Sequence, residues 1–188
     1  MSSALAGLYE RSGRSPPAAL ADWEGRVDGW CDAYLRVFPD AELSEINLDL
    51  AVFQFDHVSE RVTLAYALSV EPLMRRDSGR MRGFPDVNAS VRRVLGDRAF
   101  VADKGHFLGH ASGGILDINL FPQRRELNRG WSEEGKRFRS MERYVAEHPG
   151  TFFCHRPSYR DQTWIPATLE YGVLVDGERW WVDRFRNV

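Results

Sequence analysis

The strongest constraint on the fold is a turn signal near the C-terminus, Asp176-Gly177, set between two runs rich in strand formers, residues 167–175 and 179–185. An Asp-Gly pair readily adopts the left-handed backbone that a two-residue hairpin turn demands, so the two runs should pair antiparallel. Residues 47–55 and 61–70 are a second such pair, with 56–60 as the hairpin loop. Other segments carry helical spacing instead. Leu20, Trp23, Val27, Trp30, Tyr34 and Val37 mark a helix over 18–38 that Pro39 stops. Phe138, Met141, Tyr144 and Val145 share one face of a helix that Pro149-Gly150 end. Strands and helices mix without a strand–helix–strand rhythm, so the class is α+β. Residues 1–17 read as a loose tail, 75–85 as an exposed basic loop and 87–95 as a short helix closed by Gly96. Residues 98–102 form a strand running into Asp103-Lys104-Gly105-His106, 115–121 an extended piece before Pro122, and 151–154 a further strand.

A chain of 188 residues that is 43% hydrophobic can bury a core as one domain, which excludes global disorder. No apolar run approaches the ~20 residues of a membrane span, so no membrane partner is expected. The N-terminus lacks a basic end followed by an apolar stretch, so it is no secretory signal. The expected location is cytoplasmic as synthesised, with a specialised export route left open. Cys31 and Cys154 are too few for a disulfide framework and are expected as thiols. Charge is unevenly spread. Residues 1–74 hold 5 Arg against 12 acids, residues 75–160 hold 17 Lys and Arg against 10, and residues 161–188 hold 3 against 5. A basic middle between acidic ends suits a polyanion-binding face, although an Arg-rich solvated surface gives the same count. The division suggests an acidic extension, 1–74, packed on a core, 75–188, as one compact domain.

The informative stretch runs from Asp103 to Tyr159. It reads DKGHFLGHASGG, then INLFPQRRELNRG, then SMERYVAEHPG, then FFCHRPSY. In this order the elements resemble the DNA/RNA non-specific endonucleases of the His-Me finger, or ββα-metal, superfamily. The resemblance implies a ββα-metal core, hydrolysis of phosphodiester bonds in DNA, RNA or both, and products with 5′-phosphates. It implies His106 as general base on a water and Lys104 beside the scissile phosphate. Asn128 would be the ligand of a single Mg²⁺ or Mn²⁺, and Asn119 and Asp103 would shape the site loop. Such chemistry needs a proton acceptor near neutral pH and charge on the phosphoryl oxygens. Magnesium keeps most of its waters, so one amide ligand suffices. Gly105 lets the backbone turn beside His106. By analogy with bacterial toxins, an immunity or inhibitor protein is a further expected partner.

Glu142 departs from the pattern. It lies fourteen residues after Asn128, about 21 Å on an unbroken helix, too far to serve one hydrated ion. Either residues 130–135 loop out and the helix starts near Lys136, leaving Glu142 in a supporting role, or Glu133 or Glu134 takes it. Arg125, Arg129 and Arg156 are candidate substrate contacts, with Arg124, Arg137, Arg139 and Arg143 a wider phosphate-binding surface. His106 and His110 at i, i+4 also raise a zinc reading, without the Glu a zinc protease uses. His110 is expected as a packed residue, and Trp164, Trp180 and Trp181 as core. A binding module that keeps the fold without turnover is the alternative from another functional class.

Overall fold

Strand-forming runs collect into one antiparallel sheet. In chain order β1 is Leu43–Leu48, β2 Ala51–Asp56, β3 Arg61–Leu68, β6 Phe152–Ser158, β7 Thr168–Val175 and β8 Arg179–Arg186. The sheet order is β1-β2-β3-β6-β7-β8. A separate two-stranded ribbon joins β4 (Ala102–His106) to β5 (Leu120–Arg124). Among the described residues the helices are α1 (Ala4–Ser12), α2 (Trp23–Val37), α3 (Val87–Leu95), α4 (Arg125–Asn128) and α5 (Glu133–Glu147). This computed structural model describes residues 3–71, 86–114 and 117–188, and the basic loop expected at 75–85 lies outside them. No helix among the described residues is long and apolar enough to cross a membrane. The class is α+β.

The sheet is covered on both faces. On one, α1 and α2 pack Leu8, Trp23 and Val27 against Val52, Leu64, Tyr66 and Phe152. Trp23 sits edge-on to Tyr66 and Phe152, with ring centroids 5.2 and 4.7 Å away. On the other face, Phe138, Met141 and Val145 of α5 and Phe107, Leu108 and Phe121 of the ribbon pack on Phe53, Ala65, Phe153, Tyr171 and Phe185. With cover on both sides, β3 is buried at every position. Its one charge, Arg61, is held 3.8 Å from Asp56 and donates to the Tyr34 hydroxyl.

Within the segment expected as an extension, β1, β2 and β3 are half of the sheet, and β3 pairs directly with β6. Several other expectations shift. The tail contains α1, capped by the Ser3 side chain, with Leu5, Leu8 and Tyr9 buried. The run 47–55 is not one strand, because Asp49 at φ 49° turns the chain between β1 and β2. The helix over 18–38 is a 3-10 turn at Ala18–Leu20 followed by α2. Residues 98–101 precede the ribbon strand, which starts at Ala102, so Asp103-Lys104-Gly105-His106 is itself strand. Pro122 lies within β5, opposite Lys104. Asp176 and Gly177 do turn the β7–β8 hairpin, both with positive φ.

The buried Asn187 ties ribbon to sheet. Its side-chain amide donates to the carbonyls of Pro122 (3.0 Å) and Pro166 (2.8 Å) and accepts from the Arg124 amide (2.8 Å). Asn187→Leu keeps the branched shape and removes the partner of two buried carbonyls and of the part-buried Arg124 amide, so a loss of roughly 3 kcal/mol is expected in urea unfolding. A loss below about 0.5 kcal/mol would show that the tether is not structural.

Candidate active site

The ribbon fixes the motif residues by strand alternation. Lys104 and His106 project from one face of β4, Asp103 and Gly105 from the other. His106 is the last ribbon residue and pairs with Leu120. Gly105 has no room for a side chain, since a Cβ there would lie 2.4 Å from the Gln123 Cβ.

Beyond His106 the chain is held by Asn119, which is fully buried. The Asn119 carboxamide accepts from the Leu108 N–H and donates to the Leu108 carbonyl, both at 2.8 Å. The Phe107 amide donates to the Asn119 carbonyl at 3.0 Å. Phe107 and Phe121 stack beneath this loop at 4.3 Å. The Val70 amide donates to the Ser112 carbonyl, fastening the loop to the end of β3.

Asp103 gathers two arginines from α4 and the turn after it. Arg125 Nε lies 3.0 Å from Oδ1, and Arg129 Nε lies 2.6 Å from Oδ2. Partial burial pushes the Asp103 pKa up, but hydrogen bonds from Arg129 and Arg125 outweigh it and hold the group below the usual carboxylate range. Asn128, the last residue of α4, is half-buried and its carboxamide makes no hydrogen bond to the described residues.

A sharp turn separates α4 from α5. Gly130 takes a φ of 72°, Ser132 caps α5 through the Gly135 amide, and Gly135 sits so close that a Cβ would lie 2.4 Å from the Glu126 carbonyl oxygen. The helix therefore begins at Glu133 rather than near Lys136, so only residues 130–132 separate it from the end of α4 and Arg129, and its first turn abuts the end of α4. From Gly135 to Glu142 is seven residues, or about 10 Å along the axis. Glu142 pairs with Arg139 at 3.3 Å and leans toward the site loop, its Oε1 3.9 Å from the position a Gly109 Cβ would take. Burial pushes the Glu142 pKa up to about 7, opposed by Arg139. Glu133 and Glu134 lie at the start of α5, where Glu133 pairs with Lys136 and the Glu134 carboxylate accepts from the Arg186 amide.

Arg156 is not brought to this group. It forks onto Glu170 at 2.9 to 3.1 Å and lies over Trp30, on the sheet face covered by α2. His155 faces the other way and is buried, 3.9 Å from the Tyr171 ring, and desolvation lowers its pKa to about 3. His106 ends a strand and His110 opens a 3-10 turn, so they do not share a helix face. Among the described residues no three His, Cys, Asp or Glu side chains gather as a metal centre. Trp180 and Trp181 pack against Trp23 and Tyr144. Trp131, which the spacing did not single out because it lies in the turn outside any periodic run, is 62% exposed beside Arg129.

No protein family matches the chain, and no curated protein matches it. Among solved structures it is similar to a chain in the crystal structure of the EndoG/EndoGI complex, work on the mechanism of EndoG inhibition. The TM-score is 0.45 at 12% identity, covering 100% of this chain and 81% of that one. A likeness at that level assigns no residue a role.

Two outcomes follow from the geometry. Asn119→Asp loses the donor to the Leu108 carbonyl and places negative charge against it. A loss of about 2 kcal/mol or more in unfolding free energy is expected, with faster amide exchange at Leu108. Raising a carboxyl's folded pKa makes its ionisation destabilising, so metal-free protein should lose stability as pH rises from about 4.5 to about 7. Glu142→Gln should flatten that slope in urea midpoints, and an unchanged slope would remove Glu142 as its source.

Proposed function

We propose that the protein is a metal-dependent endonuclease that hydrolyses phosphodiester bonds of DNA, RNA or both with little sequence preference. One observation carries the reading. Lys104 and His106 share a face of the ribbon, and the helices bearing Asn128 and Glu142 pack on that ribbon and its clamped loop, in the chain order of the resemblance.

In this reading the His106 imidazole takes a proton from the attacking water, a task a neutral imidazole performs near neutral pH. The Asn119 clamp keeps the loop beyond His106 from drifting, so the ring need not be ordered at the moment of reaction. The Lys104 ammonium offsets negative charge growing on the phosphoryl oxygens. The donor set fits a hard, hydrated divalent cation: a half-buried carboxamide at Asn128 with no hydrogen bond to the described residues, and a carboxyl at Glu142 in the same group of elements. When bound, Mg²⁺ or Mn²⁺ would supply charge to the leaving oxygen. Glu142, poised near neutral pH, would hold an outer-shell water through its carboxylate. Arg125 and Arg129, oriented by Asp103, would contact phosphates without reading bases.

The test is degradation of plasmid DNA and total RNA by wild type and His106→Ala, each with Mg²⁺ and with EDTA. Wild type with Mg²⁺ should degrade at least one substrate, and the variant should be slower by roughly a hundredfold or more. Intact nucleic acid in every lane from folded protein would overturn the enzyme and favour a binding module.

A further inference from the structure

Trp131 is the one aromatic side chain among the large apolar groups left exposed in the described residues. The other five tryptophans are buried or half-buried. Its exposure is held in place by its neighbours. The Trp131 amide donates to the Glu126 carbonyl at 2.9 Å, which anchors its backbone to α4. Gly130, at φ 72°, folds the chain back so that the Arg129 guanidinium lies over the indole, 5.0 Å from its centroid. Arg129 is in turn fixed by Asp103 at 2.6 Å. An ion pair thus orders a cation and the cation orders a ring, whose remaining surface faces solvent.

A flat apolar surface beside fixed positive charge is complementary to a nucleobase attached to its phosphate. Bases inside a duplex already have both faces stacked, so only an unpaired base can offer a face to the indole. We infer that Trp131 with Arg129 is a stacking platform for an unpaired nucleobase, and that the site engages single-stranded nucleic acid. The inference rests on the nuclease reading for the role of the turn that follows Asn128, although its binding prediction does not need turnover.

The experiment is fluorescence anisotropy in EDTA at fixed salt with wild type, Trp131→Ala and Trp131→Phe. The probes are short labelled oligothymidylate, oligouridylate and a blunt DNA duplex. Loss of one stacking contact corresponds to roughly 5- to 150-fold in dissociation constant. Trp131→Ala should weaken one or both single strands by at least about fivefold, and Trp131→Phe should stay within about threefold of wild type. Duplex binding should change by less than about twofold. The two single-stranded probes separate a DNA from an RNA occupant. Unchanged single-strand binding by Trp131→Ala, or an equal loss on duplex, overturns the platform. If wild type cuts with Mg²⁺ while Trp131→Ala binds normally, the platform falls alone. If the stacking pattern holds and wild type does not cut, the nuclease reading falls and the platform stands.

Discussion

The pairing of β3 with β6 governs everything else in the fold. Four residue pairs, from Ala65↔His155 to Leu68↔Phe152, join the two halves of the sheet across roughly eighty intervening residues. Closing so long a loop costs little more than closing a shorter one, since each doubling adds only about 0.6 kcal/mol. The expense lies in burying the joint. Both faces of β3 must find apolar cover, which α1 and α2 supply on one side and the ribbon with α5 on the other. The segment that carries the candidate chemistry is therefore also the segment that completes the core. Phe107, Leu108 and Phe121, which support the loop after His106, are the residues that cover the sheet.

That coupling changes the meaning of the charge asymmetry. A count along the chain credits the middle segment with many cations, but in the folded chain several of them are already paired with carboxylates. Arg125 and Arg129 share Asp103, Arg137 meets Asp183, Arg139 meets Glu142, and Arg156 meets Glu170. The Arg137–Asp183 pair lies about half-exposed on its arginine side and is worth little in water, so exchanging that carboxylate for a phosphate is cheap. Asp103 is different. Its carboxylate is mostly sheltered and holds two guanidinium groups at once, so it acts as an orienting device on the opposite ribbon face from Lys104 and His106.

What the sequence made legible follows from how local each signal is. Asp176-Gly177 specifies its turn by backbone preference alone, and the turn is there. The apolar stripe of α5 is long enough to register as helical period, and the break before it shows in Gly130 and Gly135. By contrast α1 is nine residues with three buried apolar side chains, too short a pattern to stand out from a polar tail. The turn at Asp49 hides inside a run of strand formers, because Asp tolerates left-handed backbone without announcing it. Asn187 was invisible in the sequence, and Asn119 was expected to shape the site loop but without its partner. Their partners, at Pro122, Pro166 and Leu108, are long-range contacts that no spacing encodes. Arg156 sits close in sequence to the last motif element, but strand alternation sends it to the far face of the sheet.

The break between α4 and α5 means that Asn128 and Glu142 do not lie on one unbroken helix. On a continuous helix Asn128 and Glu142 would be separated by about 21 Å, and no single hydrated ion could feel both. Instead the chain reverses at Gly130, and Gly135 is pressed onto the carbonyls at the end of α4. Two glycines are required for different reasons: one for a left-handed turn, the other because any side chain would push the helices apart. Arg139 lies over Gly130 and reaches Glu142, so the same close approach that shortens the path also supplies the counter-charge to the carboxylate. Enlarging Gly135 would thus act on Glu142 without touching it, by moving α5 away from the end of α4. A helix pair that looks like an insertion in the sequence is, in three dimensions, a close packing of the first turn of α5 on the end of α4.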